Sequence, residues 1–363
     1  MLNIGAVAPC FGEPLSNKCS SHCALLESTP PHSPDIDQPM PDHLGQIPVP
    51  PIHALLKASA DPLRMQILKV LEQESFGVSE LSQILDCKQS GMSHHLKALA
   101  SAGLVTARRE ANAIFYQRAR DSLLEGLAEL QEAILVTMNH IGLDAEIEQR
   151  IDEVQRHRAQ TGEALFAEYS DDFRELHDQI SPFVVYGRGA ADMLDECLPQ
   201  GAGSVLEVGM GDGGFLSELA PRFGKVVGLD VSAHMVERAR SQVEKLGLGN
   251  VELIEGDTTN AWLQDLQFDA VVMNMVLHHV PSPARQFVEV SELLAPGGRF
   301  LLCDLCSHNQ RSAREACGDV WLGFEEDVLS HWAEAAELDN GRVRMLSQRN
   351  GLRVQLREFI KPA

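Results

Sequence analysis

Val205-Leu206-Glu207-Val208-Gly209-Met210-Gly211-Asp212-Gly213-Gly214 is followed by Val227-Gly228-Leu229-Asp230 and then by Glu255-Gly256-Asp257. An apolar strand runs into a glycine turn that opens a helix. A carboxylate stands at the end of the next strand, about 20 residues on, the spacing of a ribose ligand. The glycines let backbone approach a nucleoside closely, and Asp230 can accept from both ribose hydroxyls. Gly209-x-Gly211-x-x-Gly214 fits a dinucleotide fingerprint as well, so the glycines alone do not choose a cofactor. A second carboxylate, Asp257, follows a third strand at 251–254 and is placed to accept from an adenine amino group.

With Pro296-Gly297-Gly298 ahead of a further strand, this half of the chain resembles the class I S-adenosylmethionine-dependent methyltransferases. Strands are expected at 204–208, 225–229, 251–254, 270–273 and 299–303, alternating with helices. A closing hairpin is expected at 342–346 and 352–359. Alternation of strand and helix gives a mostly parallel, Rossmann-like sheet with its ligand at the carboxyl ends of the strands. The antiparallel terminal hairpin is the family's addition to it. The resemblance implies that Glu207 and the backbone at Gly209, Gly211 and Gly213 hold the amino-acid part of S-adenosylmethionine or S-adenosylhomocysteine. It gives the ribose to Asp230, the adenine to Asp257 and Thr258, and the sulfonium border to Asn274. His278 and His279 are weak candidates for a catalytic base, with a structural role favoured. The stretch after Asn274 lacks the Asn-Pro-Pro-aromatic pattern of nucleic-acid base methylases.

The N-terminal half has a different grammar. From Ile52 apolar residues recur at helical spacing, and Asp61-Pro62 is a natural helix start. A short helix at 78–85, a break at Asp86-Cys87-Lys88, a helix at about 90–102 ending at Gly103, and two strands around Glu110-Ala111-Asn112 give the order of a winged helix-turn-helix. On the helix at 90–102, Ser90, Ser93, His94 and Lys97 share one face, while Met92, Leu96 and Leu99 share the opposite one. A polar front on an apolar back suits a DNA major groove. Arg108 and Arg109 in the wing are expected to reach phosphate.

Asp61-Pro62-Leu63-Arg64-x-x-Ile67-Leu68, Gln89-Ser90-x-x-Ser93-His94-His95-Leu96-Lys97 and Ala102-Gly103-Leu104-Val105 resemble the ArsR-type bacterial regulators. The resemblance implies operator DNA as partner, with Gln89 joining the DNA face, and a homodimer. Members that sense metals carry a cysteine pair in the motif's first helix, which has none here, and the histidine and acid ligands of the next helix are not evident at 121–132. No metal site is expected, and Cys19, His22 and Cys23 lie in a stretch with no fold around them. Some regulators with such fused domains are associated with homocysteine and methionine recycling.

The net charge of −22 excludes a chain that coats nucleic acid non-specifically, because phosphates would be repelled. The charge is uneven: residues 47–120 carry nine basic groups against six acidic, and 121–179 carry four against fifteen. Eight scattered cysteines fit a reducing cytoplasm. There is no apolar run long enough for a membrane span and no secretory signal. The expected organisation is a disordered extension at 1–46, with Met40 an alternative start. A winged helix-turn-helix at 47–120 and an acidic helical linker and dimerisation region at 121–180 follow. The S-adenosyl-ligand domain takes 181–363, making a multidomain α/β chain. In the linker, Leu123, Leu124, Leu127, Leu130, Ile134 and Leu135 form the expected partner stripe, and Tyr169, Phe173 and Tyr186 are candidates to cover the ligand.

Overall fold

A computed structural model describes residues 51–110, 113–119, 126–169, 181–198, 202–260, 262–263, 266–310 and 319–363. The extension at 1–46 lies outside them, as do Leu123, Leu124, Phe173 and the side chain of Tyr169. No described helix is long and apolar enough to cross a membrane.

The N-terminal part runs α1 (Pro51–Ser59), α2 (Pro62–Val70), β1 (Phe76–Gly77), α3 (Val78–Ile84), α4 (Gln89–Ser101), β2 (Val105–Glu110) and β3 (Ala113–Arg118). Asp61 caps α2 by accepting from the Arg64 amide at 3.0 Å, with Pro62 in the first turn where its missing N–H costs nothing. Glu80 caps α3, accepting from the Gly77 amide at 2.7 Å. Ile67, Leu81, Ile84, Met92, Leu96 and Leu99 are fully buried in one core beneath the helices. The wing is an antiparallel hairpin in the sheet order β1-β3-β2.

Two helices follow, α5 (Ala128–Asn139) and α6 (Ala145–Tyr169). The described apolar residues that were expected to meet a partner chain rest partly on their own chain. Leu127, Leu130, Ile134 and Leu135 pack against the winged-helix core, as do Ile147, Ile151 and Val154 of α6. Val136 on α5, with Ile52 and Leu56 on α1, stays exposed.

The C-terminal part contains α7 (Phe183–Cys197), β4 (Ala202–Val208), α8 (Leu216–Leu219), β5 (Phe223–Asp230), α9 (Ala233–Leu246) and β6 (Val251–Glu255). Then come β7 (Phe268–Asn274), a 3-10 turn (Leu277–His279), α10 (Pro283–Leu293), β8 (Leu294–Leu305), α11 (Glu326–Ala335), β9 (Asp339–Ser347) and β10 (Arg353–Ile360). Seven strands form one sheet in the order β6-β5-β4-β7-β8-β10-β9. Strands β4 to β8 pair in parallel, and β10 enters antiparallel between β8 and β9. The chain order reverses between β4 and β7. A doubly wound sheet opens a crevice at that point, so it locates the ligand cleft.

The two parts share a core. Phe115 of the wing is buried with the C-terminal cluster, its ring edge-on to Trp321 with centroids 5.4 Å apart. Trp332 of α11 donates its indole N–H to the Gln73 carbonyl at 2.8 Å.

Candidate functional site

At the end of β4 the amides of Gly209 and Met210 both donate to the Leu229 carbonyl, at 2.7 and 3.1 Å. The turn then proceeds through left-handed backbone at Gly209 (φ +69°), Gly211 (φ +55°) and Gly213 (φ +81°). Gly209 has a second reason to be glycine, since a Cβ there would lie 2.5 Å from a Val276 methyl. The Asp230 carboxylate closes the other side, accepting from the amides of Gly211 and Ser232, each at 2.9 Å. Burial raises its pKa against the pull of those two N–H groups.

Glu207 is 2 % exposed, and its Oε1 sits 3.5 Å from the Asn274 amide nitrogen. Its other oxygen and the Asn274 carbonyl oxygen are buried acceptors with no hydrogen-bond partner. Burial, with the Asp230 and Asp212 charges behind it, pushes the Glu207 carboxyl up to about 8 against the Asn274 hydrogen bond. Two unsatisfied acceptors at the sheet's switch point call for a donor cation. The ammonium of an amino-acid ligand fits them. Met275, the next residue, is buried in left-handed backbone (φ +57°), a strained conformation that keeps the chain turning tightly at the cleft.

Asp257 is exposed at the end of β6 and accepts from the Thr259 amide and hydroxyl at 2.9 and 2.6 Å. Thr258 is buried, and its hydroxyl donates to Glu289 at 2.6 Å and accepts from Gln286 at 3.0 Å, so its side chain ties the loop to α10. Tyr186 is buried on α7, edge-on to Phe183.

His278 is 2 % exposed, with Nδ1 2.8 Å from Asp304 Oδ1. Burial works against its charge, but the Asp304 and Asp319 carboxylates outweigh that and lift the imidazole to about 9. The ring is enclosed and held by Asp304, the arrangement of a structural histidine. His279 is the more open of the two, its side chain 19 % exposed.

On the other part of the chain, Gln89, Ser90, Ser93, His94 and Lys97 are all exposed along α4. His95, at the edge of the apolar side, lies 3.6 Å from Asp61. In the wing, successive side chains point to opposite faces. Arg109 is exposed, whereas Arg108 donates to the Gly323 carbonyl at 3.1 Å. Arg108 therefore braces the wing against the C-terminal part and is not presented to phosphate.

A helix-turn-helix domain model matches residues 60–108, and a methyltransferase domain model matches residues 205–298. A biofilm growth-associated repressor of Agrobacterium fabrum is 39 % identical over 97 residues, 24 % of this chain and 83 % of that protein. An uncharacterized methyltransferase of Mycobacterium tuberculosis is 33 % identical over 147 residues, 40 % of this chain and 73 % of that protein. The chain belongs to both families. It joins an ArsR-type helix-turn-helix domain to an S-adenosylmethionine-dependent methyltransferase domain. A 37.1 kDa protein of a Streptomyces fradiae transposon matches at 37 % identity over 113 residues, and the chain spans 32 % of that protein's length.

Between the helix-turn-helix and methyltransferase domains stands a residue that the sequence did not single out. Arg158 of α6 pairs with Glu80 at 2.7 and 2.8 Å and donates to the Ser75 and Pro281 carbonyls. Its guanidinium also lies 5.0 Å from the Phe76 and Trp321 rings and 5.5 Å from Phe115. Beside it Glu74 accepts from Ser282 and from Gln155, joining the same two domains.

Proposed function

We propose that this protein is a dimeric transcriptional repressor whose methyltransferase domain binds S-adenosylmethionine or S-adenosylhomocysteine as effector, controlling genes of the methionine and methylation cycle. Glu207, Asp230, Asn274 and the Gly209–Gly213 backbone would hold the ligand, with Asp257 at the adenine. Gln89, Ser90, Ser93, His94, Lys97 and Arg109 would face the operator. Exposed Ile52, Leu56 and Val136 offer apolar surface for a second copy, which a two-fold operator requires.

The observation that carries this reading is the Arg158 junction. One buried cation touches Glu80 on the first helix of the DNA-binding motif and Pro281 on the loop that leaves the ligand cleft. A ligand that favours one arrangement of that loop thereby favours one placement of α3 and α4. An effector must interact unequally with the two DNA-binding states, and the two S-adenosyl forms differ by a methyl and a positive charge at the Asn274 end.

The test is an operator titration with each form at fixed salt. A coupling of 1–3 kcal/mol gives a shift of roughly 5- to 150-fold. The rival reading is a small-molecule methyltransferase that regulates its own operon, favoured by the intact Asp230 and Glu207 geometry. Readily detected methyl release with no movement of the DNA curve would establish the rival.

A further inference from the structure

We propose that His278, His279 and Asp319 form a binding site for a divalent cation of the zinc class, beside the ligand cleft. One ligand atom from each lies within 4.8 Å of the other two. His278 Nε2 and His279 Nδ1 are each 3.8 Å from the same Asp319 oxygen. That is too long for hydrogen bonds. It is close to the separation of two ligands on one tetrahedral ion, roughly 3.3 Å for bonds of about 2.0–2.1 Å. A modest inward movement of the rings completes the geometry.

The surroundings prepare the set. Asp304 accepts from the His278 ring at 2.8 Å and is itself fixed by the Leu305 amide at 2.7 Å and the His278 amide at 3.3 Å. Asp304 accepts from Nδ1 in either protonation state of the ring, so an ion needs only to displace the Nε2 proton, and the lone pair it frees faces Asp319. A carboxylate behind a histidine, orienting the ring and raising its basicity, is the usual outer shell of a metal-bound imidazole. The 277–279 turn sends the two neighbouring rings to one place by different nitrogens, with centroids 4.1 Å apart. Asp319 is brought there by main chain, since the Val320 and Trp321 amides both donate to the His278 carbonyl at 3.0 Å.

Charge and access agree with this. Asp304 and Asp319 are both fully enclosed, at 0 and 2 % exposure. A divalent ion that displaces the imidazole proton keeps positive charge beside the two buried carboxylates. Two imidazoles and one carboxylate suit zinc and its neighbours, whereas calcium and magnesium prefer all-oxygen sets. His279 is the open side, and a three-residue set leaves a coordination position for water or a ligand oxygen. The ion would tie the loop after Asn274 to the segment whose Trp321 meets Phe115 and Arg158.

The experiment uses the full chain, stripped with chelator under reducing conditions and titrated with zinc against a chromophoric competitor. Wild type should bind one zinc equivalent that His279→Ala and Asp319→Asn both lose. Asp304→Asn, which touches no ion, should keep the equivalent with about 10- to 100-fold weaker affinity. Cobalt in the same site should give visible ligand-field bands without thiolate charge transfer, separating it from any cysteine site. Should Asp319→Asn unfold, the partly exposed His279→Ala still reads the site. Zinc binding unchanged in stoichiometry and affinity in His279→Ala overturns the proposal. So does a wild-type chain that binds no zinc, or a cobalt spectrum of thiolate type alone.

Discussion

The Arg158 guanidinium donates to the Pro281 carbonyl at 3.2 Å while two of its nitrogens hold the Glu80 carboxylate. One side chain of the linker helix thus fastens the helix-turn-helix to the loop that follows Asn274. It is nearly enclosed, with three aromatic rings around it. Removing one partner of a buried pair leaves the other charge uncompensated, at a cost of about 3–5 kcal/mol. Arg158→Ala should lower the thermal midpoint and separate the unfolding of the two domains. Operator binding at low temperature should persist while its response to S-adenosylhomocysteine is lost. A calorimetric trace identical to wild type would remove Arg158 from the junction.

The exposed face of α4 predicts that Lys97→Ala weakens operator binding by about 1–3 kcal/mol if Lys97 reads a base edge. Arg109→Ala should lessen the slope of affinity against salt by roughly one phosphate contact. Arg108→Ala should leave that slope alone and lower stability instead, because its partner is the Gly323 carbonyl. The reverse pattern for the two arginines, read from binding curves at several salt concentrations, would show that the wing faces DNA by its other side.

In the cleft, Asp230→Ala should remove roughly 1.5–3 kcal/mol of S-adenosylhomocysteine affinity in a folded protein, the worth of charge-assisted bonds to a ribose. Glu207 adds a pH dependence. With its carboxyl near 8 before the ligand arrives, it is mostly protonated at neutral pH and must ionise to hold an ammonium. Binding should therefore release a proton, and affinity should rise from pH 6.5 to 8. Calorimetry in buffers of different ionisation enthalpy measures the proton, and Glu207→Gln should abolish it.

Glu74 is buried at the domain junction, and burial carries its carboxyl from the ordinary 4.5 to about 7 despite Arg158 nearby. The folded state holds this proton more tightly than the unfolded chain does. Its contribution is fully present below the unfolded value and is lost as pH rises through about 7, on the order of 3 kcal/mol in all. The thermal midpoint should fall between pH 5 and 8. In Glu74→Gln the fall should shrink, and an unchanged pH profile in that variant would show that Glu74 is hydrated.

Much of the architecture was legible because it is periodic or local. The β4 turn needs glycine at positive φ, the carboxylates stand at strand ends by counting, and α4 shows its two faces at 100° per residue. The partners of the Thr258 and Arg108 side chains were not legible because a sequence gives the element but not the side its residue faces. Thr258 is claimed by Glu289 and Gln286, and the wing's alternation sends Arg108 inward. The leucines of α5 carry the same signal whether the partner is a second chain or the core beneath them.

The sequence by itself determined two domains, their families and the glycines and carboxylates that stand at the strand ends, since these rest on spacings within single elements. Only the tertiary structure decided that Arg158 joins the domains, and that Asp319 arrives beside His278 and His279. Those contacts depend on long-range packing, in which residues far apart in the chain meet because their elements bury apolar surface against one another. Glu80 and Arg158, or His279 and Asp319, carry no mark in the sequence of the partner that folding gives them.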